Sequence, residues 1–303
     1  MQPTRPAVVL LDGGMGQELR KRREVAPTPL WSGQVMADDP ALVTAVHRDF
    51  IEAGAEVITA NTYALTPQRL ARDGDPARLE ELHGRALDAA HAARASTGTA
   101  VRIAGCLPPL VASYRPDLVP DEATAAASYR RLVEAQAGRV DLWLCETLST
   151  VAEARLATAA ARPTGLEVWT SLTVRDDDGT RLRSGEPVRD GAAAALEAGA
   201  AAVLVNCSTP EAVARALDDI APLGAPFGAY ANGFEPEGEL RPDGTVDELR
   251  ARRDLGPAAY AEHALGWVAA GAGIVGGCCE VGPAHIAELA RRLAAAGFSR
   301  AAR

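Results

Sequence analysis

The sequence predicts an α/β protein of the (β/α)8 barrel class, also called a TIM barrel, and two observations lead to this prediction. Eight short apolar segments alternate with longer Ala- and Leu-rich amphipathic segments along the 303 residues. Eightfold strand–helix alternation is the pattern of this barrel. The chain is 48% hydrophobic but only 4% aromatic, which suits helices packed on a sheet. Because no linker divides the chain, we expect one barrel domain over residues 1–303.

The predicted strands are short apolar runs bounded by glycine or polar residues. They span 7–14, 56–63, 101–107, 141–147, 167–174, 201–208, 227–233 and 273–279. Helical periodicity fills the segments between them, for example at 40–54 and 210–220. The tripeptide Ala-Gly-Ala recurs at 53–55, 198–200 and 270–272. Glycine just past a helix end adopts the left-handed conformation at little cost, so we interpret these tripeptides as helix stops.

Two connections are longer than the rest. One covers residues 175–190, after the fifth strand, and the other covers residues 233–255, after the seventh. Both follow strands, so both are expected on the carboxyl-terminal face of the barrel, where barrel enzymes hold their active sites. Loops in this position are candidate lids, and plain solvated loops are the alternative.

Charge and hydropathy exclude some partners. The net charge is −9, which argues against nucleic acid or an anionic membrane as a partner, because both need a basic face. No apolar run is long enough to span a bilayer, and the first residues lack the apolar core of a signal peptide. We therefore expect a cytoplasmic protein that acts on small molecules.

The five cysteines predict a metal site rather than disulfides, because disulfide scaffolds are usually small and cysteine-dense. Cys207 ends the sixth strand, and Cys278 and Cys279 end the eighth. Adjacent strand residues point to opposite faces, so these two can share a metal only if the strand breaks, which the preceding glycine pair permits. Three thiols can bind one Zn²⁺ and leave its fourth position open, as in catalytic zinc sites. Cys106 and Cys145 are interpreted as small core hydrophobes.

Other polar residues also stand at strand ends, where they would surround the barrel mouth. Asp12-Gly13-Gly14 ends the first strand, and its glycines allow the backbone to approach a ligand closely. Glu146 follows the apolar run of the fourth strand, so we expect it either to bind a ligand or to form an ion pair. Asn61-Thr62-Tyr63 and Tyr230-Ala231-Asn232 supply hydrogen-bonding groups from the second and seventh strands.

A resemblance to the homocysteine S-methyltransferase family is carried by six segments that together extend over nearly the whole chain. They are LLDGGMGQEL (10–19), ITANTY (58–63), CETLS (145–149), VNCS (205–208), YANGF (230–234) and IVGGCCEVGPAHI (274–286). The separated NC and GGCC motifs are together highly specific. Many members of the family read GGCCGTTP where this chain reads GGCCEVGP, so the zinc motif is kept but the neighbouring part of the substrate pocket differs.

The resemblance implies a single barrel that binds Zn²⁺ through three thiolates, here Cys207, Cys278 and Cys279. It also implies a set of residues that hold the amino-acid part of homocysteine. On this sequence they are Asp12, Gly13 and Glu146, with Thr62 and Asn232 from the second- and seventh-strand motifs.

The chemistry of such a site agrees with methyl transfer. A free thiol is only partly ionised at neutral pH, and Zn²⁺ binds the thiolate form and lowers its pKa. The resulting nucleophile can take a methyl group from a sulfonium donor, whose leaving group is a neutral thioether. We therefore expect methyl transfer from S-methylmethionine to homocysteine, with S-adenosylmethionine as the second candidate donor. Tyr63, Tyr230 and Phe234 are candidate residues around the sulfonium.

Three alternatives are also compatible with the sequence. The methyl acceptor could be another thiol or a selenol. The barrel could instead be a zinc hydrolase, although an all-thiolate zinc is a poor Lewis acid for that chemistry. Finally, the protein could be a zinc barrel without catalytic activity.

Overall fold

The computed structural model describes residues 7–23, 30, 32–236 and 249–299. Eight parallel strands form the sheet, and each lies within its predicted segment except β4, which extends one residue further. The strands are β1 Val9–Leu10, β2 Val57–Thr59, β3 Arg102–Leu107, β4 Leu142–Leu148, β5 Val168–Leu172, β6 Ala202–Asn206, β7 Phe227–Tyr230 and β8 Ile274–Val275.

The sheet closes into a barrel. Its strand order is β1-β8-β7-β6-β5-β4-β3-β2, and a parallel bridge between Leu11 and Val57 joins the two ends. Backbone hydrogen bonds continue across this seam, from Asp12 N to Val57 O at 3.0 Å and from Glu56 N to Leu10 O at 2.7 Å. The predicted (β/α)8 barrel is therefore confirmed.

Eleven α-helices surround the barrel within the described part of the chain. Their bounds are α1 Met15–Arg23, α2 Ser32–Asp38, α3 Pro40–Glu52, α4 Pro67–Asp73, α5 Leu79–Thr97, α6 Glu122–Gln136, α7 Val151–Ala161, α8 Val188–Glu197, α9 Pro210–Ile220, α10 Pro257–Ala269 and α11 Pro283–Ala295. Among these residues no helix is both long and apolar enough to cross a membrane.

Local signals set the ends of these helices. The predicted helix 210–220 is observed with the same bounds, and Thr209 caps it by accepting a hydrogen bond from Ala212 N. The helix predicted at 40–54 ends two residues earlier, at Glu52. Gly54, Gly199 and Gly271 have φ of 114°, 103° and 107°, which places each Ala-Gly-Ala tripeptide at a helix stop as predicted.

The inside of the barrel is filled with side chains, so a ligand site can only lie at its mouth. Leu142, Leu144, Trp169 and Leu204 are among the buried residues of this inner core. A larger apolar cluster lies between the sheet and the surrounding helices. The site described below is at the carboxyl-terminal ends of the strands.

Both long connections contain antiparallel backbone bridges. Residues 175–190 fold back on themselves through antiparallel bridges between Val174 and Leu182 and between Arg181 and Pro187. In the second connection, Phe234 pairs with Ala251, and residues 237–248 lie outside the described part of the chain. The first connection is therefore a packed turn rather than an extended solvated loop.

Candidate metal centre and substrate pocket

Three cysteine sulfurs meet at the mouth of the barrel. The Sγ atoms of Cys207, Cys278 and Cys279 all lie within 4.8 Å of one another, and those of Cys207 and Cys279 are 3.7 Å apart. Tetrahedral Zn²⁺ with Zn–S bonds of about 2.3 Å requires sulfurs about 3.8 Å apart. The donor set and its spacing therefore fit one tetrahedral metal ion with a fourth position left for a substrate.

The backbone leaves regular strand geometry at both cysteine segments. Strand β8 ends at Val275, so the break predicted before the cysteine pair is present. A Cβ on Gly277 would lie 2.1 Å from Val281 Cγ1, and only glycine permits that approach. Cys207 itself has a positive φ of 50°, so its side chain does not continue the alternation of side chains along β6. Both breaks are needed for the three sulfurs to converge.

Negative charge is shared unevenly among the three thiols. Hydrogen bonds from Cys278 and Cys279 hold the pKa of Cys207 well below the usual thiol range. The same bonds raise the pKa values of Cys278 and Cys279, because each donates its proton towards Cys207. Tyr114 also donates its hydroxyl proton to Cys207 Sγ, at 2.8 Å. Of the three thiols, Cys207 is therefore the one whose negative charge its neighbours stabilise most.

A cavity that opens to solvent adjoins the sulfurs. Asp12 and Glu146 bring carboxyl groups to its wall, and Tyr63, Ser113 and Tyr230 bring hydroxyl groups. The three cysteines also line it. A ligand in this cavity can therefore touch the sulfurs and the carboxyl groups at the same time.

Burial perturbs both carboxyl groups. Asp12 is buried, and burial raises its pKa to about 8, although the backbone N–H of Thr59 donates to it at 2.8 Å and opposes the shift. Burial likewise raises the pKa of Glu146 to about 7. Glu146 accepts hydrogen bonds from the Cys106 thiol at 3.0 Å and the Tyr230 hydroxyl at 3.3 Å. A cationic ligand group would favour the ionised form of both carboxyl groups.

A buried amide keeps Glu146 in place. The side chain of Asn206 accepts hydrogen bonds from Thr147 N at 2.9 Å and from the Ser171 hydroxyl at 2.8 Å, and it donates to the Thr147 hydroxyl at 2.8 Å. Thr147 has φ of 62°, an uncommon conformation for a residue with a branched side chain. Asn206 directly precedes Cys207 and holds the backbone that directly follows Glu146. It therefore couples the carboxyl group to the cysteine cluster.

Two residues predicted to contact the substrate form hydrogen bonds within the protein. Thr62 is fully buried and donates to Gln136 Oε1 at 3.4 Å, and Asn232 accepts from the backbone N–H of Phe234 at 3.2 Å. Neither lines the cavity, whereas Asp12, Gly13 and Glu146 do. Strand β2 ends at Thr59 and β7 at Tyr230, so strict side-chain alternation does not extend to these positions.

The structure adds residues that the sequence reasoning missed or misread. Gln17, in the first turn of α1, lines the cavity and is only 2% exposed. Neither atom of its amide has a hydrogen-bond partner among the described residues. Cys106 is buried as predicted, but its contact with Glu146 makes it part of the site. Gln17 stands five residues after Asp12, and this nearness to a predicted site residue could have indicated its place in the cavity. No sequence pattern indicated the contact between Cys106 and Glu146.

The fold and the site together define a (β/α)8 barrel with a cluster of three cysteines, able to hold a metal ion, that faces a pocket lined by carboxyl groups. The sequence matches the homocysteine S-methyltransferase family over residues 9–293. It is 33% identical to a homocysteine S-methyltransferase of Escherichia coli K12, with 94% of this chain and 95% of the relative aligned. The chain therefore belongs to the homocysteine S-methyltransferase family.

Solved structures and a second kind of relative extend this comparison. The structure is similar to the metallated form of the homocysteine methyltransferase MmuM from Escherichia coli, with a TM-score of 0.79 and 30% identity over 95% of this chain and 97% of that chain. The chain is also 26% identical to a selenocysteine Se-methyltransferase of Brassica oleracea, over 94% of this chain and 88% of the relative. The family therefore includes relatives named for a thiol acceptor and for a selenol acceptor.

Proposed function

We propose that this protein transfers a methyl group to the sulfur of homocysteine and so produces methionine. The observation that carries the proposal is the meeting of three cysteine sulfurs with the buried carboxyl group of Asp12 and the half-buried carboxyl group of Glu146 in one cavity. A methyl acceptor with a sulfur at one end and an α-ammonium group at the other can reach the cysteine cluster and the carboxyl groups at the same time. In this proposal residues 1–303 are one homocysteine-binding barrel domain, its partners are small molecules, and its location is the cytoplasm.

We infer that the metal is Zn²⁺ and that Cys207, Cys278 and Cys279 hold it. All three donors are sulfur, the 3.7 Å separation of two of them suits tetrahedral Zn²⁺, and the similar MmuM structure is described as metallated. When bound, the metal would lower the pKa of the acceptor thiol so that it is a thiolate at neutral pH.

The protein's own residues would orient the acceptor. Asp12 and Glu146 would bind the α-ammonium group, because a carboxylate is its natural partner and both line the cavity. Glu146 is aimed by the Cys106 thiol and the Tyr230 hydroxyl, each holding one of its oxygens. The unpartnered amide of Gln17 can donate to the α-carboxylate.

The donor that fits this site best is S-methylmethionine. The acceptor sulfur forms a bond to the methyl carbon while the bond from that carbon to the sulfonium sulfur breaks. The electron pair of the broken bond stays on the donor sulfur, which leaves as the neutral thioether of methionine. No proton has to be delivered to this leaving group, and the two products are both methionine. The rings of Tyr63 and Tyr230 border the cavity and can face a sulfonium cation.

The test supplies zinc-loaded protein with unlabelled S-methylmethionine and with homocysteine labelled with ¹³C in its carbon chain. Labelled methionine should accumulate with no added organic cofactor, and S-adenosylmethionine should support slower turnover. Turnover only with betaine or methyltetrahydrofolate would exclude the proposed donor. Selenocysteine should be offered in a parallel reaction, because the Brassica relative is named for that acceptor. Absence of transfer to any acceptor despite bound zinc would favour a non-catalytic barrel.

A further inference from the structure

Tyr114 is held in an unusual position against the cysteine cluster. Its side chain is 1% exposed, and its hydroxyl donates to Cys207 Sγ at 2.8 Å. Its backbone φ is 60°, in the left-handed region that disfavours residues with a side chain. Such strain persists only where the surrounding structure imposes it, and it is often found at functional sites.

The ring of Tyr114 is also fixed from its other side. The guanidinium carbon of Arg183 lies 4.4 Å from the ring centroid. Arg183 is itself held by Asp176 at 3.0 Å, and their side chains are only 6% and 5% exposed. Both charged residues come from the connection after β5. This packed turn therefore clamps the ring that carries the hydroxyl.

The hydrogen bond makes Cys207 different from the other two thiols. Cys278 Sγ has a much longer contact, with Asn206 Nδ2 at 3.8 Å. Cys207 and Cys279 share the contact at 3.7 Å described above. Within the described part of the chain, the hydroxyl of Tyr114 thus makes the shortest hydrogen bond recorded for any sulfur of the cluster.

We propose that Tyr114 is a positioning residue of the metal centre, which fixes Cys207 and withdraws electron density from its thiolate. This inference rests on the proposed function, because it concerns the residues that would hold the metal. Three cysteine thiolates and a substrate thiolate around one divalent cation carry an excess of negative charge. A hydrogen bond to one of the four sulfurs offsets part of it, and the partners that orient metal ligands in this way tune metal sites.

The experiment compares Tyr114→Phe with wild type and uses Co²⁺ as a spectroscopic substitute for zinc. The matched control is Tyr129→Phe, because the buried hydroxyl of Tyr129 has no hydrogen-bond partner among the described residues. Removal of a hydrogen bond raises the energy of the thiolate electrons, so the sulfur-to-cobalt charge-transfer band should move to lower energy in Tyr114→Phe only. Zinc affinity should also fall by about tenfold or more.

A charge-transfer band at the wild-type energy in Tyr114→Phe overturns the proposal, whatever the zinc affinity. If that variant does not fold, 3-fluorotyrosine at position 114 keeps the ring and makes the hydroxyl a stronger donor. The band should then move to higher energy, and an unmoved band overturns the proposal. Failure of the wild-type protein to give any thiolate–cobalt band would instead contradict the metal centre of the proposed function, so the two failures are distinguishable.

Discussion

The thiol of Cys106 donates a hydrogen bond to Glu146 Oε1 at 3.0 Å, from one barrel strand to the next. Cys106 is fixed in turn by Gln136, whose amide accepts from Cys106 N and donates to Cys106 O, both at 3.1 Å. The second carboxylate oxygen of Glu146 accepts from Tyr230. The carboxyl group is thus held by one partner on the adjacent strand β3 and by a second partner on β7, across the barrel mouth.

This relationship predicts that Cys106→Ala weakens acceptor binding. Loss of a hydrogen bond to a charged group costs about 1.5–3 kcal/mol, so the KM for homocysteine should rise about tenfold or more while kcat changes little. Cys145→Ala is the matched control, because Cys145 is equally buried but belongs to the apolar core outside the barrel. Steady-state kinetics of both variants would check this, and equal KM values would contradict the role of Cys106.

Acceptor binding should depend on pH through Glu146 and Asp12. Their pKa values are raised to about 7 and about 8, so both are partly protonated near neutral pH. An α-ammonium group needs the carboxylate forms, and binding should therefore tighten as pH rises from 6 to 8. Norvaline has the same amino-acid end but no thiol, so its inhibition constant measured against pH isolates this effect.

Glu146→Gln should remove much of that pH dependence and raise the KM for homocysteine by about tenfold to a hundredfold. The amide keeps the size of the side chain but cannot carry the charge. An unchanged pH profile of norvaline inhibition in Glu146→Gln would assign the ammonium site to Asp12 alone. Circular dichroism would establish that Glu146→Gln is folded, so that weaker binding can be assigned to the lost charge.

Replacement of any cysteine of the cluster should abolish metal binding but leave the fold intact. Cys278→Ala removes one of three sulfur donors at the barrel mouth, outside the main apolar core between sheet and helices. We expect the barrel to fold, with zinc content and turnover both lost. Zinc per chain measured by mass spectrometry, beside an activity assay, provides the test. Full zinc content and full turnover in Cys278→Ala would remove Cys278 from the metal site.

The sequence predicted the barrel and the cysteine cluster because both depend on short-range signals. Eight apolar runs separated by helical segments define the strands, and the carboxyl ends of parallel barrel strands must lie at one face. Cys207 and Cys279 are 72 residues apart in sequence, yet their positions at strand ends were sufficient to predict that they meet.

Side-chain orientation beyond the strand ends was not predictable in the same way. Thr62 and Asn232 follow strands that have already ended, so their direction depends on the irregular backbone after β2 and β7. Tyr114 lies 93 residues before its partner Cys207 and in no strand or helix. The contact of Cys106 with Glu146 depends on the register between β3 and β4, which a single sequence does not specify.

Replacement of Gln17 should change substrate binding and stability in opposite senses. A buried amide without hydrogen bonds costs about 1–3 kcal/mol, so Gln17→Met should raise the free energy of unfolding and also raise the KM for homocysteine. Gln136→Met is the control, because that buried amide donates to Cys106 O and Leu132 O, both at 3.1 Å, and its loss should lower stability.

Thermal unfolding with and without norvaline would measure both effects. Stabilisation by norvaline should shrink in Gln17→Met, since the bound α-carboxylate would lose its amide donor. A Gln17→Met protein that is less stable than wild type and binds norvaline equally well would show that the amide contributes to packing and not to the substrate pocket.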